Sequence, residues 1–140
     1  MKPVVLLDTG PFVAFLQRRE KHHDWAVQQF SKLEPPFRTC EPVITETCFL
    51  VRGLPGGSEA VLKLVDSGLI RVAVTLSEEI TSIRRLMAKY ASVPISLADA
   101  CLVRLSENHS NGIVLTLDGD FRIYRKHGRQ VIPTIMPKTK

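Results

Sequence analysis

Four acidic side chains stand where a lone charge is costly to bury: Asp8, Glu46, Asp99 and Asp118. Asp8 follows Val4-Val5-Leu6-Leu7, and Asp118 follows Ile113-Val114-Leu115-Thr116-Leu117, so each ends an apolar run. Glu46 has Val43 at i−3 and Leu50 at i+4; Asp99 has Leu102 and Val103 at i+3 and i+4. Residues so spaced share one face of a helix, and both faces are apolar. Singly, each acid has a structural use. Asp8 and Asp118 suit turns, Asp99 suits a helix N-terminus, and Glu46 suits a solvated helix edge. As a set they are harder to place, because grouped carboxylates repel unless protons or cations neutralise them. Oxygen-only ligation favours hard cations, Mg²⁺ or Mn²⁺. In a basic protein, such a cation points to phosphodiester chemistry: it polarises a phosphoryl oxygen and makes a water acidic, and a second cation can stabilise the leaving oxygen.

The chain is basic, with a formal charge of +5 and a pI near 9.4. That favours an anionic partner, nucleic acid before an acidic protein. The best basic cluster near the end of the first strand is Arg18, Arg19 and Lys21, a candidate for phosphate contact; Arg122, Arg125, Lys126 and Arg129 form a second. His22, His23, His109 and His127 read as loop or surface residues, and no Ser/His/Asp or Cys/His arrangement supports nucleophilic catalysis. Cys40, Cys48 and Cys101 lie among apolar residues without CxxC pairing, which reads as reduced core thiols in a cytoplasmic protein. The apolar run after Met1-Lys2 breaks at Asp8, too short for a signal peptide, and no stretch is long enough to span a membrane.

Positioning the acids calls for alternating strands and helices. Strands are expected at residues 4–7, 37–40, 69–74 and 113–117, with a last edge strand at 131–135 that contains Pro133. Helices are expected from Pro11, from Asp24 as cap, from Pro42 to a Gly53 terminus, and over 59–67. Two more are capped by Ser77 and by Ser96, with Asp99 completing a capping box. Residues 121–126 read as one helical turn. The fold class is a three-layer α/β domain with a mostly parallel central sheet of about five strands. The domain spans residues 1–136 and a basic tail 137–140.

Leu7-Asp8-Thr9-Gly10, Thr45-Glu46, Leu97-Ala98-Asp99-Ala100 and Thr116-Leu117-Asp118-Gly119-Asp120-Phe121 resemble, in order and over nearly the whole chain, the PIN-domain family. The resemblance implies an α/β/α nuclease fold and Mg²⁺- or Mn²⁺-dependent cleavage of RNA. At this length the chain looks most like the VapC-type toxins of toxin–antitoxin pairs, which implies a homodimer neutralised by a small antitoxin. It also implies that Asp8, Glu46, Asp99 and Asp118 are the metal-binding, catalytic carboxylates and that Asp120 is an auxiliary acid. Thr9 and Thr116 match hydroxyl positions that orient a carboxylate or a water. Two other readings compete. A haloacid-dehalogenase-type phosphohydrolase also places an Asp after its first strand, but the second acid it needs two residues on is Gly10 here. A PIN-like binding module without catalysis would have no need of all four acids.

Overall fold

A computed structural model of the chain describes residues 2–138; Met1 and, of the expected tail, Thr139 and Lys140 lie outside the described residues. Its centre is β1 (Val4–Leu7), whose Val5, Leu6 and Leu7 are at most 1% exposed. A strand so apolar is stable only when covered on both faces. β1 pairs in parallel with β2 (Phe37–Thr39) on one side and with β4 (Gly112–Leu115) on the other, Leu7 opposite Leu115. β3 (Ile70–Val72) extends the sheet beyond β2, and β7 (Thr134–Ile135) beyond β4. The order is therefore β3-β2-β1-β4-β7, all parallel, as the alternating pattern implies. Among the described residues, six helices flank the sheet in an α/β/α arrangement: α1 (Thr9–Leu16), α2 (His23–Lys32), α3 (Glu41–Leu50), α4 (Gly57–Asp66), α5 (Ile80–Lys89) and α6 (Leu97–Asn108). The chain steps outward from β1 through β2 to β3, then returns to the far side of β1 at β4. Right-handed crossovers in opposite directions call for helices on both faces.

Several boundaries depart from those expected, each for a local reason. α1 starts at Thr9, not Pro11, because Asp8 itself is the cap: its extended backbone lets the carboxylate accept the Thr9 N–H at 2.8 Å. Asp24 lies inside the first turn of α2 rather than capping it, where an acid complements the helix dipole. α3 stops at Leu50 and Gly53 is not its terminus, because Val51 turns fully into the core. Ser77 caps nothing; α5 begins at Ile80, and the Glu79 side chain is held instead by Arg104 and Asn108 of α6.

The largest departure is at the C-terminal end. β4 ends at Leu115, and the expected helical turn over 121–126 is a short 3₁₀ segment, Gly119–Arg122, followed by a hairpin of β5 (Arg125–Lys126) and β6 (Gln130–Val131). Left-handed backbone at His127 (φ 51°) and Gly128 (φ 80°) turns that hairpin. The expected last strand is divided at Pro133, which has no N–H for a ladder: its N-terminal part joins the hairpin and only Thr134–Ile135 edges the main sheet. The three cysteines are free, and the buried Cys40 thiol donates to the Ala98 carbonyl at 3.9 Å. Among the described residues, no helix is long and apolar enough to cross a membrane.

Candidate active site

The sheet reverses direction between β1 and β4, so the carboxyl ends of these neighbours form a topological switch point, where open α/β sheets bind ligands. Asp8 leaves the end of β1, and Thr116, Leu117 and Asp118 leave the end of β4. A cleft of about 510 Å³ opens there. Asp8, Glu46, Asp99, Asp118 and Asp120 all line it, so five acids from four separate segments face one space. Gly10 belongs to its wall for a packing reason. A Cβ at Gly10 would stand 3.1 Å from the Leu117 side chain, so the small residue lets the start of α1 approach the loop that carries Asp118.

Hydrogen bonds fix two of the acids. The Thr116 hydroxyl donates to Asp8 Oδ2 at 2.7 Å, and Thr116 Oγ1 itself accepts the Asp118 N–H at 2.9 Å. One buried hydroxyl thus ties together the ends of β1 and β4. Asp118 Oδ1 in turn accepts the Asp120 N–H at 2.9 Å and caps the 3₁₀ segment. On α6, the Ser96 hydroxyl accepts the Asp99 N–H at 3.0 Å. The Asp99 carboxylate accepts the Tyr124 O–H at 3.0 Å and also lies against the Ser96 side chain, whose hydrogen bond favours its charged form.

Glu46 takes the solvated helix edge rather than the apolar face of α3. Val43 and Thr47 supply the buried face of α3, with the Thr47 hydroxyl donating to the Val43 carbonyl at 2.7 Å. Glu46, one residue round the helix from Thr47, is exposed, as is Leu50, and points into the cleft from its rim rather than into the core. Thr9 is buried beside Asp8, and its hydroxyl has no hydrogen-bond partner. Arg18 and Arg19 line a different cleft, beside the turn at 54–57, and Lys21 lines a third. Sequence reasoning left out Tyr124, Glu20, Ser96 and His22. His22, expected in a solvated loop, is half-buried on the cleft wall. Ser96 was visible as a cap; Tyr124 carried no local signal.

Burial pushes the Asp8 carboxyl up to about 6, against the hydrogen bonds from Thr116 and Thr9 and with help from Asp118 and Glu46. Burial also pushes Asp99 up to about 7, reinforced by the charge of Asp8 and opposed by the Tyr124 hydrogen bond. The Tyr124 phenol is raised too, by burial and then by Asp99. Among the described residues, no lysine or arginine lines the cleft to relieve these charges. A carboxylate-only donor set under mutual repulsion, with an orphaned hydroxyl beside it, fits a hard divalent cation. Among the described residues, no three acidic, histidine or cysteine side chains form a ready cage. Mg²⁺ does not require one: it keeps several waters and commonly binds through one or two carboxylates.

Comparison with known proteins bears on this site. The family model for the PIN domain matches residues 5–126. No curated protein matches the chain. Among solved structures, VapC20 of Mycobacterium tuberculosis, described as a sarcin–ricin loop cleaving toxin, superposes with a TM-score of 0.73. It is 21% identical, over 83% of this chain and 91% of that one, a likeness of fold.

Proposed function

The chain belongs to the PIN-domain family, and from that premise we propose that it is an Mg²⁺- or Mn²⁺-dependent endoribonuclease. The observation that carries this reading is the convergence of Asp8, Glu46, Asp99 and Asp118 on one cleft at the switch point, with no lysine or arginine among the described residues that line it. These four would hold the cation, with Asp120 beside them. When bound, the cation supplies positive charge to the phosphoryl oxygens and the acidity a water needs to attack at neutral pH.

The chain's own groups do the rest. Thr116 keeps one Asp8 oxygen engaged, and so sets how that carboxylate faces the cleft. Tyr124 donates to Asp99 and leaves its other oxygen for the cleft. Leu50 and Leu117 supply apolar side chains to the cleft wall beside the acids. Hydrolysis breaks the P–O bond on the leaving side as water oxygen bonds to phosphorus, and the leaving oxygen takes a proton.

Likeness to VapC20, a toxin that cleaves the sarcin–ricin loop, supports a toxin role and makes ribosomal RNA the first substrate to try. On this reading a small antitoxin covers the acid cleft and the chain works as a homodimer. Exposed Phe49, Leu76 and Leu97 line an apolar cleft that shares Glu46 with the acid cleft, a surface suited to a protein partner. A short reading frame beside the gene that encodes a DNA-binding protein would separate a toxin from a housekeeping RNA-processing nuclease, and light scattering would test the dimer.

The decisive experiment is RNA cleavage by Asp8→Asn and Asp99→Asn proteins. Wild type should cut RNA with Mg²⁺ or Mn²⁺ and stop in EDTA. Both variants should be inactive yet show the wild-type circular dichroism spectrum. EDTA-sensitive cleavage retained by the Asp99→Asn protein would remove that residue from the site. Absence of both cleavage and saturable Mn²⁺ binding in wild type would leave a silent binding module.

A further inference from the structure

Six carboxylates line the acid cleft: Asp8, Glu20, Glu46, Asp99, Asp118 and Asp120. Even with a cation bound, the phosphates flanking a scissile bond meet an acidic wall, so affinity for the strand must come from outside. The link between α1 and α2 shows where. Its successive side chains are dealt out to different depressions. Arg18 and Arg19 face the cleft beside residues 54–57. Glu20 and His22 face the acid cleft. Lys21 faces a third groove, which it lines together with Arg122 and Lys138. His22 and Leu117 belong to the walls of both the acid cleft and this third groove, so the two adjoin. Lys21, Arg122 and Lys138 are exposed, and among the described residues none of them is in an ion pair. Among the described residues, no acid lines their groove. Three unpaired cations beside six carboxylates form a sharp step in potential across His22 and Leu117.

We propose that this groove carries the RNA strand on one side of the scissile phosphate. Lys21, Arg122 and Lys138 take backbone phosphates, and the strand crosses His22 and Leu117 into the acid cleft. The inference rests on the ribonuclease reading above and adds where the substrate lies. Contacts of this kind give affinity and register but do not read sequence. Arg18 and Arg19, though closest in sequence, are on the wrong side of the link to take part.

The test is fluorescence-anisotropy binding of two unrelated single-stranded RNA oligonucleotides over a salt series. It uses the full chain carrying Asp99→Asn, to prevent cleavage, with Mn²⁺ present. Adding Lys21→Gln, Arg122→Gln and Lys138→Gln should weaken both RNAs alike, by roughly tenfold at low salt. It should also reduce the slope of log affinity against log salt by about 2, from about 0.7 per phosphate on a single strand. Adding Arg18→Gln and Arg19→Gln instead should change neither. All five side chains are exposed, and an unchanged melting midpoint certifies the fold. A triple-substituted protein that binds as its parent, or an Arg18/Arg19 pair that matters as much, overturns the inference while leaving the nuclease reading intact. Loss of binding to an acidic protein with RNA binding unaltered overturns it too. Failure of the parent to bind any RNA, with wild type cutting none, is the distinct failure of the ribonuclease reading itself.

Discussion

Tyr124 and Asp99 show how one hydrogen bond can serve both stability and chemistry. The phenol O–H lies 3.0 Å from Asp99 Oδ2 and is buried, packed edge-on to the rings of Tyr90 and Phe121. It satisfies one carboxylate oxygen of a group that burial and the Asp8 charge hold at about 7. Tyr124→Phe keeps the ring and removes that donor. Partners of this kind typically alter metal affinity or activity by about 10–100-fold. The variant should therefore need more Mn²⁺ for half-maximal cleavage and turn over at least about tenfold more slowly. Its stability should fall by only about 1 kcal/mol, as for the loss of one hydrogen bond. Unchanged Mn²⁺ dependence would show that the phenol serves packing alone. The four acids were legible because each breaks an apolar pattern that an isolated charge would not break. Tyr124 was not, since its partner is 25 residues away in sequence and nothing near it is out of pattern. Glu46 was legible in type but not in direction: its i−3 and i+4 neighbours are apolar, yet only Val43 is buried.

Between elements, the joint that matters is the hydroxyl linking the ends of β1 and β4. Thr116 donates to Asp8 and accepts from the Asp118 backbone while fully buried. Thr116→Val keeps the shape, since both side chains are β-branched, and deletes both bonds. It leaves an Asp8 oxygen and the Asp118 N–H without their partner, which costs about 1–3 kcal/mol for each buried group left unpaired. The denaturation midpoint should fall accordingly and cleavage should drop with it, whereas Thr116→Ser should recover much of both. A Thr116→Val protein with wild-type cleavage and stability would show that the loop places Asp118 without this joint. Elements were legible where burial dictates pattern: β1 and β4 are apolar runs, and α6 carries a Ser96 cap followed by buried Leu102 and Val103. The β5–β6 hairpin was hidden, because each strand has two residues and its turn uses a left-handed histidine. The start of α5 was misplaced because the pairing of Glu79 with Arg104 is tertiary, whereas Ser77 offered a plausible local cap.

At the scale of the whole molecule, the net charge of +5 conceals a division. Six of the fourteen acids line one cleft, so the remaining surface is more basic than the total suggests. A polyanion is drawn to the outside and resisted at the centre until a cation is held there. The same division sets how stability responds to pH. Asp8 and Asp99 titrate near 6 and 7 in the folded chain, against about 3.9 when unfolded. A carboxyl raised on folding is a liability only when charged. Below about pH 4 it is protonated in both states and costs nothing; the cost grows as pH rises and is complete once pH exceeds the folded value. Glu79 is lowered by its bond from Arg104, so its contribution is lost only as the solution becomes acid and stays constant above about pH 5. In EDTA, therefore, the melting midpoint should fall between pH 5 and pH 8, by the equivalent of roughly a few kcal/mol. Mn²⁺ at about 100 times its dissociation constant should restore about 2.7 kcal/mol at pH 8, where the carboxylates are charged, and far less at pH 5, where protons compete. A midpoint in EDTA that is flat or rises over this range would mean that burial and the neighbouring acids do not raise these carboxyls in the folded chain. The case for a cation-binding cleft would then lose its electrostatic basis. Asp8→Asn should flatten the same profile, because it removes one raised carboxyl and the charge that helps raise the other.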